Sequence, residues 1–465
     1  MAAAGCFTSY DIRGRVGPDL DAALCDRIGR AFVRVMRPGR VVVGHDIRAS
    51  SPALQAALTD GLRGAGADVI DIGLCGTEEV YFATDRYRAG GGLMVTASHN
   101  PIDYNGIKLV GPGCRPLCPD TEFAALRDLV TGPGPVVPAV PAARPGAVRR
   151  ADPRAEYAAR VLSFIDPEAL RPLKIVVNAG HGTAGPAFDA IAAALAARGA
   201  PLSFVRIHHA PDSRFPQGIP NPLLPENRPV TARAVRDHGA DFGVAWDGDF
   251  DRCFLFDETG AFIDGEYIVG LLAAACLARA PGARIVHDPR VIWSTRDMVA
   301  RAGGQTVVSR TGHVPIKAAM RAADAVYGGE MSAHHYFRDF MYCDSGMIPW
   351  LVLAAHLSGE RGPLSALVAR MRAEFPSSGE INFRVGDPAA VLARAEARYA
   401  DRAPQVDRLD GLSLSFDRWR FNMRRSNTEP LLRLNVETRG DPALLAAKLA
   451  ELRRLIEEDP NPPDA

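Results

Sequence analysis

The chain has 465 residues, 47% of them hydrophobic and 23% charged, which is typical of a globular protein with several domains. Lys plus Arg and Asp plus Glu both number 54, so the formal net charge of +0 predicts binding neither to nucleic acid nor to an acidic membrane surface. The eight cysteines are scattered, the first residues lack a signal-peptide pattern, and the longest apolar helix candidate, residues 267–278, is shorter than the about 20 residues that span a bilayer. We therefore expect a cytoplasmic protein with reduced thiols.

The same strand, helix, strand pattern occurs three times, although the three sequences share little identity. Each copy opens with a β-branched run, which is "RVVVGHD" in the first copy, "LKIVVNAG" in the second and "ARIVHDP" in the third. A helical pattern and a second strand candidate follow each run. Strand, helix and strand at this spacing predict right-handed βαβ units and a mostly parallel sheet in every copy.

A further strand candidate in each copy ends in an unusual loop. The strand "GGLMVT" precedes "SHNP", the strand "DFGVAW" precedes "DGDFDR", and the strand "DAVYGG" precedes "EMSAHH". In open α/β sheets, loops at the carboxyl ends of strands face the ligand crevice. The three loops are therefore predicted to converge on one cleft.

The predicted fold class is α/β, with three similar α/β domains of mixed, mostly parallel sheets and a C-terminal α+β domain, arranged around a central cleft. The last domain is predicted from the strand candidates "GEINFRV" and "LLRLNVET" and from helical patterns over 388–400 and 442–458. A Pro/Gly/Ala-rich segment, 131–146, is typical of a linker. The predicted domains are 1–148, 149–253, 254–361 and 362–465.

Three aspartates alternate with Gly248 and Phe250 in the second loop, namely Asp247, Asp249 and Asp251. An extended backbone places the three carboxylates on one side, where they repel one another unless a cation neutralises them. An oxygen-only ligand set of this size favours Mg²⁺.

Two alternatives to a magnesium site are an EF-hand and a solvated acidic turn. Glu258 stands at the twelfth position of a calcium loop that would start at Asp247. However, Arg252 occupies the sixth position, where glycine is required, and "CFLF" continues as a strand pattern. The flanking sequence is apolar, which argues against a loop left free in solvent.

The other loops each allow a chemical and a structural interpretation. Ser98 is either a reactive hydroxyl or a residue that closes a turn at the end of a strand, and "RRSNTEP", from Arg424, is either an anion-binding nest or a hairpin turn. In the third loop, Glu330 and Ser332 suit vicinal sugar hydroxyls, which both donate and accept hydrogen bonds. The two histidines of "EMSAHH" could bind zinc, but no Cys, Asp or further His stands at a matching spacing.

Four short motifs, "TASHNP", "DGDFDR", "GEMSAH" and "RSNTEP", resemble in this order and spacing the signature loops of the α-D-phosphohexomutases. Longer stretches such as "VAWDGDFDRCFLFDE" are most similar to the bacterial phosphomannomutase branch of that superfamily. The resemblance implies interconversion of mannose 6-phosphate and mannose 1-phosphate for GDP-mannose and polysaccharide synthesis. It also implies a phosphoserine enzyme and a hexose 1,6-bisphosphate that serves as intermediate and activator.

The resemblance also implies a set of site residues. Ser98 would carry the phosphoryl group and complete the Mg²⁺ ligands, which are Asp247, Asp249 and Asp251. The other residues implied as catalytic are His99, Lys108 and Arg13, and the general base remains open among these three and His334. The residues implied to bind the sugar phosphate are Tyr10, Arg252, Arg290, His313, Glu330, Ser332, His334, Arg424, Ser426, Asn427 and Thr428.

Several alternatives to a phosphomannomutase remain open at this stage. Arg290 stands where relatives active on both glucose and mannose phosphates often have Lys, and Arg keeps the charge but not the geometry. A phosphoglucomutase, a dual-specificity mutase or a mutase for glucosamine phosphate is the nearest alternative. A phosphatase with a covalent intermediate and a non-enzymatic metal-binding or sugar-binding module are the others. The implied partner is a small sugar phosphate, and the implied state is a monomer or a small homo-oligomer.

Overall fold

The computed structural model describes residues 5–134, 136, 144–360, 362–402, 404–425 and 431–458, and it divides into two compact units. The first unit comprises the described residues of Met1–Phe262 and His334–Arg361, and the second comprises those of Ile263–Ala333 and Gly362–Ala465. Part of the predicted linker, 131–146, lies outside the described residues. Among the described helices, none has the length and apolar character needed to cross a membrane. All eight cysteines lie in the described part of the chain, and none of them forms a disulfide bond there.

In the first unit, strands and helices alternate along the chain. Its strands are β1 (Ile12–Arg15), β2 (Arg40–His45), β3 (Asp68–Leu74), β4 (Gly92–Val95), β5 (Tyr104–Val110), β6 (Val148–Arg150), β7 (Leu173–Asn178), β8 (Leu202–Ile207), β9 (Phe242–Trp246), β10 (Cys253–Asp257), β14 (His335–Phe337) and β15 (Cys343–Asp344). Its helices are α1 (Ala22–Met36), α2 (Ser51–Gly64), α3 (Thr77–Arg86), α4 (Ala124–Thr131), α5 (Arg154–Leu162), α6 (Ala184–Ala197), α7 (Pro229–His238) and α11 (Met347–Gly359). The strands form a six-stranded sheet of order β1-β5-β4-β2-β3-β6, a four-stranded sheet of order β10-β9-β7-β8, and an antiparallel β14/β15 pair.

The second unit combines a parallel and an antiparallel part. Its strands are β11 (Arg284–His287), β12 (Gln305–Val308), β13 (Tyr327–Gly329), β16 (Ser377–Arg384), β17 (Gln405–Asp407), β18 (Leu412–Ser415), β19 (Trp419–Arg425) and β20 (Leu431–Thr438). Its helices are α8 (Gly265–Arg279), α9 (Trp293–Arg301), α10 (His313–Ala323), α12 (Leu364–Glu374), α13 (Pro388–Tyr399) and α14 (Pro442–Glu457). Strand β11 pairs in parallel with β12 and β13, and the last five strands form an antiparallel sheet of order β16-β20-β19-β18-β17.

The three predicted repeats are confirmed by the strand order. In each repeat a central strand has two parallel neighbours: β2 lies between β3 and β4, β7 between β8 and β9, and β11 between β12 and β13. The first repeat adds the antiparallel strands β5 and β1, and the second adds the antiparallel strand β10. The sheets are therefore mixed and mostly parallel, and the C-terminal part is α+β, as the sequence predicted.

Burial on both faces explains why the central strands were visible in the sequence. Val41, Val42 and Val43 of β2 are fully buried, as are Ile175, Val176 and Val177 of β7. A parallel strand covered by helices on both faces needs a continuous apolar run of this kind. The antiparallel C-terminal sheet instead shares its core with two helices, through Phe421, Leu434, Val391 of α13 and Leu452 of α14.

Candidate active site

Ser98 lies in the turn that follows β4, with only 2% of its surface exposed. Its φ of +49° lies in the left-handed region, which few residues with a side chain adopt, so the fold holds this turn in a strained conformation. The Ser98 hydroxyl donates to Oδ2 of Asp247 at 2.6 Å, and Nδ1 of His99 lies 3.0 Å from the same hydroxyl oxygen. The turn therefore presents one hydroxyl between a carboxylate and an imidazole.

The side chain of Arg48, a residue that the sequence reasoning missed, supports the Ser98 turn. This side chain is buried, and its guanidinium donates to the backbone carbonyls of Ser98, Asn100, Pro101 and Tyr104 at 2.6 to 3.0 Å. A planar guanidinium with five N–H donors is the side chain that can satisfy four carbonyls at once. Arg48 is therefore a positioning residue for the turn.

Arg13 contacts the same turn from β1. Its Nη1 donates to the backbone carbonyl of Ala97 at 2.9 Å and to Oδ1 of Asn100 at 2.6 Å. The fold thus places Arg13 beside the neighbours of Ser98, and its catalytic role stays a prediction.

Asp247, Asp249 and Asp251 follow β9 and are buried, with 0%, 0% and 3% of their surface exposed. Each offers an oxygen to one common position, because these oxygens lie within 4.8 Å of one another. In the described part of the chain, Oδ1 of Asp249 and Oδ1 of Asp251 are buried without a hydrogen-bond partner. Leaving such oxygens unpartnered is costly, and coordination of a cation satisfies them. The cluster is therefore a site that can hold a metal ion, and its oxygen-only donors fit Mg²⁺.

The two structural alternatives to this site are excluded. Residues Cys253–Asp257 form β10, antiparallel to β9, whereas an EF-hand requires a continuous calcium loop over these residues. The burial of the three aspartates excludes a solvated acidic turn.

Gly248 allows the aspartate loop to approach the Ser98 turn. A Cβ at this position would lie 2.6 Å from the carbonyl oxygen of Ser98, which is closer than atoms can pack. Thr77, at the start of α3, donates from Oγ1 to Oδ2 of Asp249 at 2.6 Å and is a further contact that the sequence did not predict. Close packing and a neighbouring hydroxyl therefore fix the position of the loop.

Lys108, on β5, is bound directly to the aspartate cluster. Its Nζ donates to Oδ2 of Asp249 at 2.7 Å and to Oδ2 of Asp251 at 2.5 Å. Burial lowers the pKa of Lys108, but the two carboxylates outweigh burial and raise it. Burial, with repulsion from Asp251 and Asp249, raises the pKa of Asp247 to about 7. Two of the three carboxylates thus share one ammonium, and the third accepts from the Ser98 hydroxyl.

Arg252 and His334 lie next to the aspartate cluster and contact each other. Nε of Arg252 lies 3.8 Å from Oδ2 of Asp247 and 4.0 Å from Oδ1 of Asp251, and it donates to Nε2 of His334 at 3.0 Å. Nδ1 of His334 lies 3.1 Å from Oδ2 of Asp344. No Cys, Asp or further His stands at a matching sequence spacing from this histidine, but the fold brings Asp251 and Asp344 within metal-binding reach of it. In this structure Nε2 accepts from Arg252 and Nδ1 lies beside Asp344, so both ring nitrogens have hydrogen-bond partners.

In the second unit, the loops after β11 and β13 bring three predicted substrate-binding residues together. Nε and Nη2 of Arg290 donate to Oδ1 and Oδ2 of Asp288 at 3.0 and 2.8 Å. Nη2 of Arg290 also lies 3.4 Å from Oγ of Ser332 and 3.9 Å from Oε1 of Glu330. Glu330 accepts from the backbone N–H of Gly312 at 2.7 Å. This group of side chains combines a cation, a carboxylate and a hydroxyl.

Arg290 also belongs to what we call the arginine cluster, which consists of Arg290, Arg424 and Arg433. One carboxylate, that of Glu380, contacts all three: Oε2 accepts from Arg290 Nη1 at 3.3 Å and from Arg424 Nη2 at 3.2 Å, and Oε1 accepts from Arg433 Nη1 at 2.9 Å. Arg424 is 4% exposed, and its Nε is buried without a hydrogen-bond partner among the described residues. The predicted anion-binding residue Arg424 thus lies beside two further arginines and shares the Glu380 carboxylate with them.

The remaining predicted substrate-binding residues carry less structural information. Tyr10 is half-buried just before β1, and His313 is half-buried at the first residue of α10. Ser426, Asn427 and Thr428 lie outside the described residues. The roles of these five residues stay predictions.

One sequence signal could have found Arg48. The loops after β2 and β11 both read His-Asp-x-Arg, as "HDIR" at 45–48 and "HDPR" at 287–290. The arginine therefore repeats between the first and third copies together with the strand that precedes it. Asp344 and Glu380 had no comparable signal, because each meets its partners only through the fold.

Four domain models of one family match this chain in order. They are phosphoglucomutase/phosphomannomutase α/β/α domain I over residues 5–130, domain II over 155–260, domain III over 264–375, and the C-terminal domain over 380–455. The matches cover nearly all of both units.

Individual proteins are similar over their whole length. The phosphohexose mutases protein of Xanthomonas campestris is 56% identical over 97% of this chain and 98% of its own. The phosphomannomutase of Salmonella typhimurium is 55% identical over 97% of this chain and 99% of its own. The crystal structure of a phosphoglucomutase/phosphomannomutase family protein from Burkholderia thailandensis has a TM-score of 0.86 and 31% identity and covers 100% of both chains.

Proposed function

Because the chain belongs to the phosphoglucomutase/phosphomannomutase family, it is an isomerase that transfers a phosphoryl group within its substrate, and we propose that it interconverts mannose 6-phosphate and mannose 1-phosphate. Relatives named phosphomannomutase, at 55% and 52% identity over 97% of the chain, favour the mannose substrate. The alternative is a mutase that acts on glucose phosphates or on both sugars.

The observation that carries the proposal is the position of the Ser98 hydroxyl. It is buried, it points at Asp247 at 2.6 Å, and its loop packs against the aspartate loop at Gly248. A serine that only closed a turn would bond to its own backbone rather than to a carboxylate 149 residues away. We therefore assign Ser98 as the residue that carries the phosphoryl group.

Asp247, Asp249 and Asp251 would hold Mg²⁺, with a phosphoryl oxygen on Ser98 as a further ligand. When bound, the ion stabilises the negative charge on the transferring group. Lys108 and Arg252 supply fixed positive charge at the same cluster, through the contacts of 2.5 to 4.0 Å described above.

The transfer itself exchanges one P–O bond for another. The bond between phosphorus and Ser98 Oγ breaks as a bond to a sugar hydroxyl oxygen forms, the sugar hydroxyl gives up its proton, and Ser98 Oγ gains one. His99 is placed to hold a proton at that oxygen, since its Nδ1 lies 3.0 Å away. The second half-reaction runs in reverse from the other phosphate of the hexose 1,6-bisphosphate, so one set of residues serves both.

Residues of the second unit would bind the part of the substrate that does not react. Glu330 and Ser332 suit two neighbouring hydroxyls, and Arg290 and Arg424 suit a phosphate. The hexose 3- and 4-hydroxyls present similar groups in either orientation, which lets one pocket accept both monophosphates.

Several finer assignments rest on the same proposal. The product would feed GDP-mannose and polysaccharide synthesis, the enzyme would act in the cytoplasm, and it would be a monomer or a small homo-oligomer. The four-domain division with boundaries at 148, 253 and 361 stays a prediction as well.

Two measurements test the function. Intact mass before and after phosphatase treatment should show one removable phosphate, which peptide mapping should place on Ser98. The ratio of kcat/KM for mannose 1-phosphate to that for glucose 1-phosphate should exceed unity in the presence of Mg²⁺ and a catalytic amount of bisphosphate. Free phosphate as the main product would indicate a phosphatase, and no phosphate on Ser98 together with no turnover would indicate a binding module.

A further inference from the structure

We propose that Glu380 is an internal competitor of the substrate phosphate: its carboxylate occupies the donors of the arginine cluster in the free enzyme and is displaced when a phosphate binds. This inference rests on the proposed function for its biological meaning, but its physical content concerns anion binding alone. Glu380 lies outside all four signature loops of the sequence.

The geometry of Glu380 is that of a bridging counter-ion. Its two oxygens accept from Arg290, Arg424 and Arg433, and 19% of its side chain is exposed. The three arginines hold the pKa of Glu380 below its usual value although burial opposes them, so the carboxylate is charged. Glu380 is therefore the carboxylate that all three arginines share, while Asp288 and Glu330 are further carboxylates beside Arg290 alone.

Two of the three contacts are long. Charge-assisted N–H···O bonds are usually about 2.7 to 2.9 Å, whereas Glu380 lies 3.3 Å from Arg290 and 3.2 Å from Arg424. The Arg290 contact with Asp288, at 2.8 and 3.0 Å over two bonds, is tighter. Arg290 is therefore anchored by Asp288 and only loosely held by Glu380, so exchange of Glu380 for another anion would leave Arg290 in place.

The arginine cluster also contains an N–H donor that does not bind Glu380. Nε of Arg424 is buried without a partner in the described chain, and a buried unpaired guanidinium donor costs free energy. A phosphate dianion brings a second negative charge and three accepting oxygens, so it satisfies these arginines better than one carboxylate does.

This competition has a use in the proposed reaction. The bisphosphate intermediate must release its non-reacting phosphate in order to turn around, and a cluster in which Arg424 and Arg433 lacked the Glu380 carboxylate would retain that phosphate more strongly. A carboxylate that returns to the cluster lowers the affinity and speeds release. Glu380 is thus a positioning residue that sets the balance between binding and release.

The test compares Glu380→Gln with Glu380→Asp and with a matched control, Glu374→Gln. Glu374 lies in the same unit and pairs with one arginine, Arg301, at 2.9 Å, on the surface of the protein. Inorganic phosphate, titrated calorimetrically into each full-length protein, is the probe. For Glu380→Gln we expect a Kd about tenfold lower than for the wild type, because one competing charge at hydrogen-bond distance is removed. Glu380→Asp, which keeps the charge, and the control should stay near the wild-type Kd.

The kinetic readout separates this role from a merely structural one. With mannose 1-phosphate, Glu380→Gln should lower both KM and kcat, since binding tightens and release slows. A weaker or unchanged Kd for phosphate in Glu380→Gln, with a thermal midpoint equal to that of the control, overturns the proposal. If Glu380→Gln unfolds, Glu380→Asp provides the test. Its shorter carboxylate competes less for the arginines, so its Kd for phosphate should be equal to or lower than that of the wild type. A higher Kd would overturn the proposal. Tighter phosphate binding in a protein without mutase turnover would instead support the role of Glu380 and refute the proposed function.

Discussion

The two His-Asp-x-Arg loops of the molecule look alike in sequence but differ in what their arginines bind. In both loops the histidine Nδ1 lies 2.7 Å from the carbonyl oxygen of the next aspartate, and that aspartate accepts from the backbone N–H of the arginine at 2.9 Å. Arg48 directs its remaining donors to backbone carbonyls of the Ser98 turn, whereas Arg290 directs its donors to the carboxylates of Asp288 and Glu380. Backbone carbonyls are permanent partners, while side-chain carboxylates can be exchanged for another anion. The same local motif thus supports the Ser98 turn in the first unit and forms part of a candidate ligand site in the second.

The largest effect should come from the residue that the Arg48 loop positions. Ser98→Ala should lower kcat by at least about a thousandfold, because losing a covalent carrier removes the reaction path rather than one contact. The free energy of unfolding should fall by about 1 to 3 kcal/mol, since removal of the buried hydroxyl leaves Oδ2 of Asp247 without this donor. Steady-state assays with added bisphosphate and a denaturant titration measure both quantities. Wild-type kcat in this variant would mean that the first loop positions no chemistry.

Replacement of the arginine by lysine in each His-Asp-x-Arg loop tests whether the two arginines have different roles. Arg48→Lys should lower kcat by about a hundredfold, because an ammonium cannot hold four carbonyls and the Ser98 turn shifts. It should also lower the free energy of unfolding by about 2 to 4 kcal/mol, the cost of buried carbonyls left unpaired. Arg290→Lys keeps the charge at the arginine cluster, so its kcat should stay within about threefold of the wild type and any change should appear in KM. Equal kcat losses in the two variants would contradict the distinction between the loops.

The Arg424→Ala variant tests whether the arginine cluster binds a substrate phosphate. Arg424 is proposed to hold the phosphate that does not react, in both ground and transition states, so its loss should raise KM by roughly one to two powers of ten. The variant should also need more added bisphosphate for sustained turnover, because an intermediate held less firmly escapes. Binding of Mg²⁺, followed by calorimetry, should be unchanged. An unchanged KM with unchanged activator dependence would assign 424–430 to a simple turn.

The smallest expected effect concerns the histidine of the second loop. Burial lowers the pKa of His287 to about 4, so the folded protein keeps this imidazole neutral while the unfolded chain protonates it below about pH 6.5. The unfolded state therefore binds more protons between these pH values, and stability should fall by roughly 2 to 3 kcal/mol as the pH drops from 6.5 to 4. Urea titrations over this range should give a shallower pH dependence for His287→Asn than for the wild type. Identical slopes would show that this imidazole is not kept neutral by the fold.

Much of the architecture was determined by the sequence itself, because the relevant signals are local. Apolar β-branched runs such as Val41–Val43 mark strands that are buried on both faces, and helical periodicity marks the segments between them. The sequence predicted that Asp247, Asp249 and Asp251 lie together, but the extended backbone expected for them was wrong, because the loop turns at Phe250, whose φ is +46° and whose N–H donates to the Asp247 carbonyl. The position of Ser98 at the end of a predicted strand left both a reactive hydroxyl and a turn residue open, and the resemblance of its motif to a signature loop of the α-D-phosphohexomutases favoured the first.

Other features were decided only by the tertiary structure, because they join residues that no local pattern connects. Arg48 reaches the Ser98 turn across 50 residues, and Arg290 reaches Glu380 across 90. Both arginines stand in the same motif, so the sequence alone could not assign them different partners. His334 is a further case, since its neighbours Asp251 and Asp344 come from different loops and stand at no matching sequence spacing from it. Strand order and loop packing set these distances, and they do so through burial and close contact rather than through any signal within a few residues of the side chain.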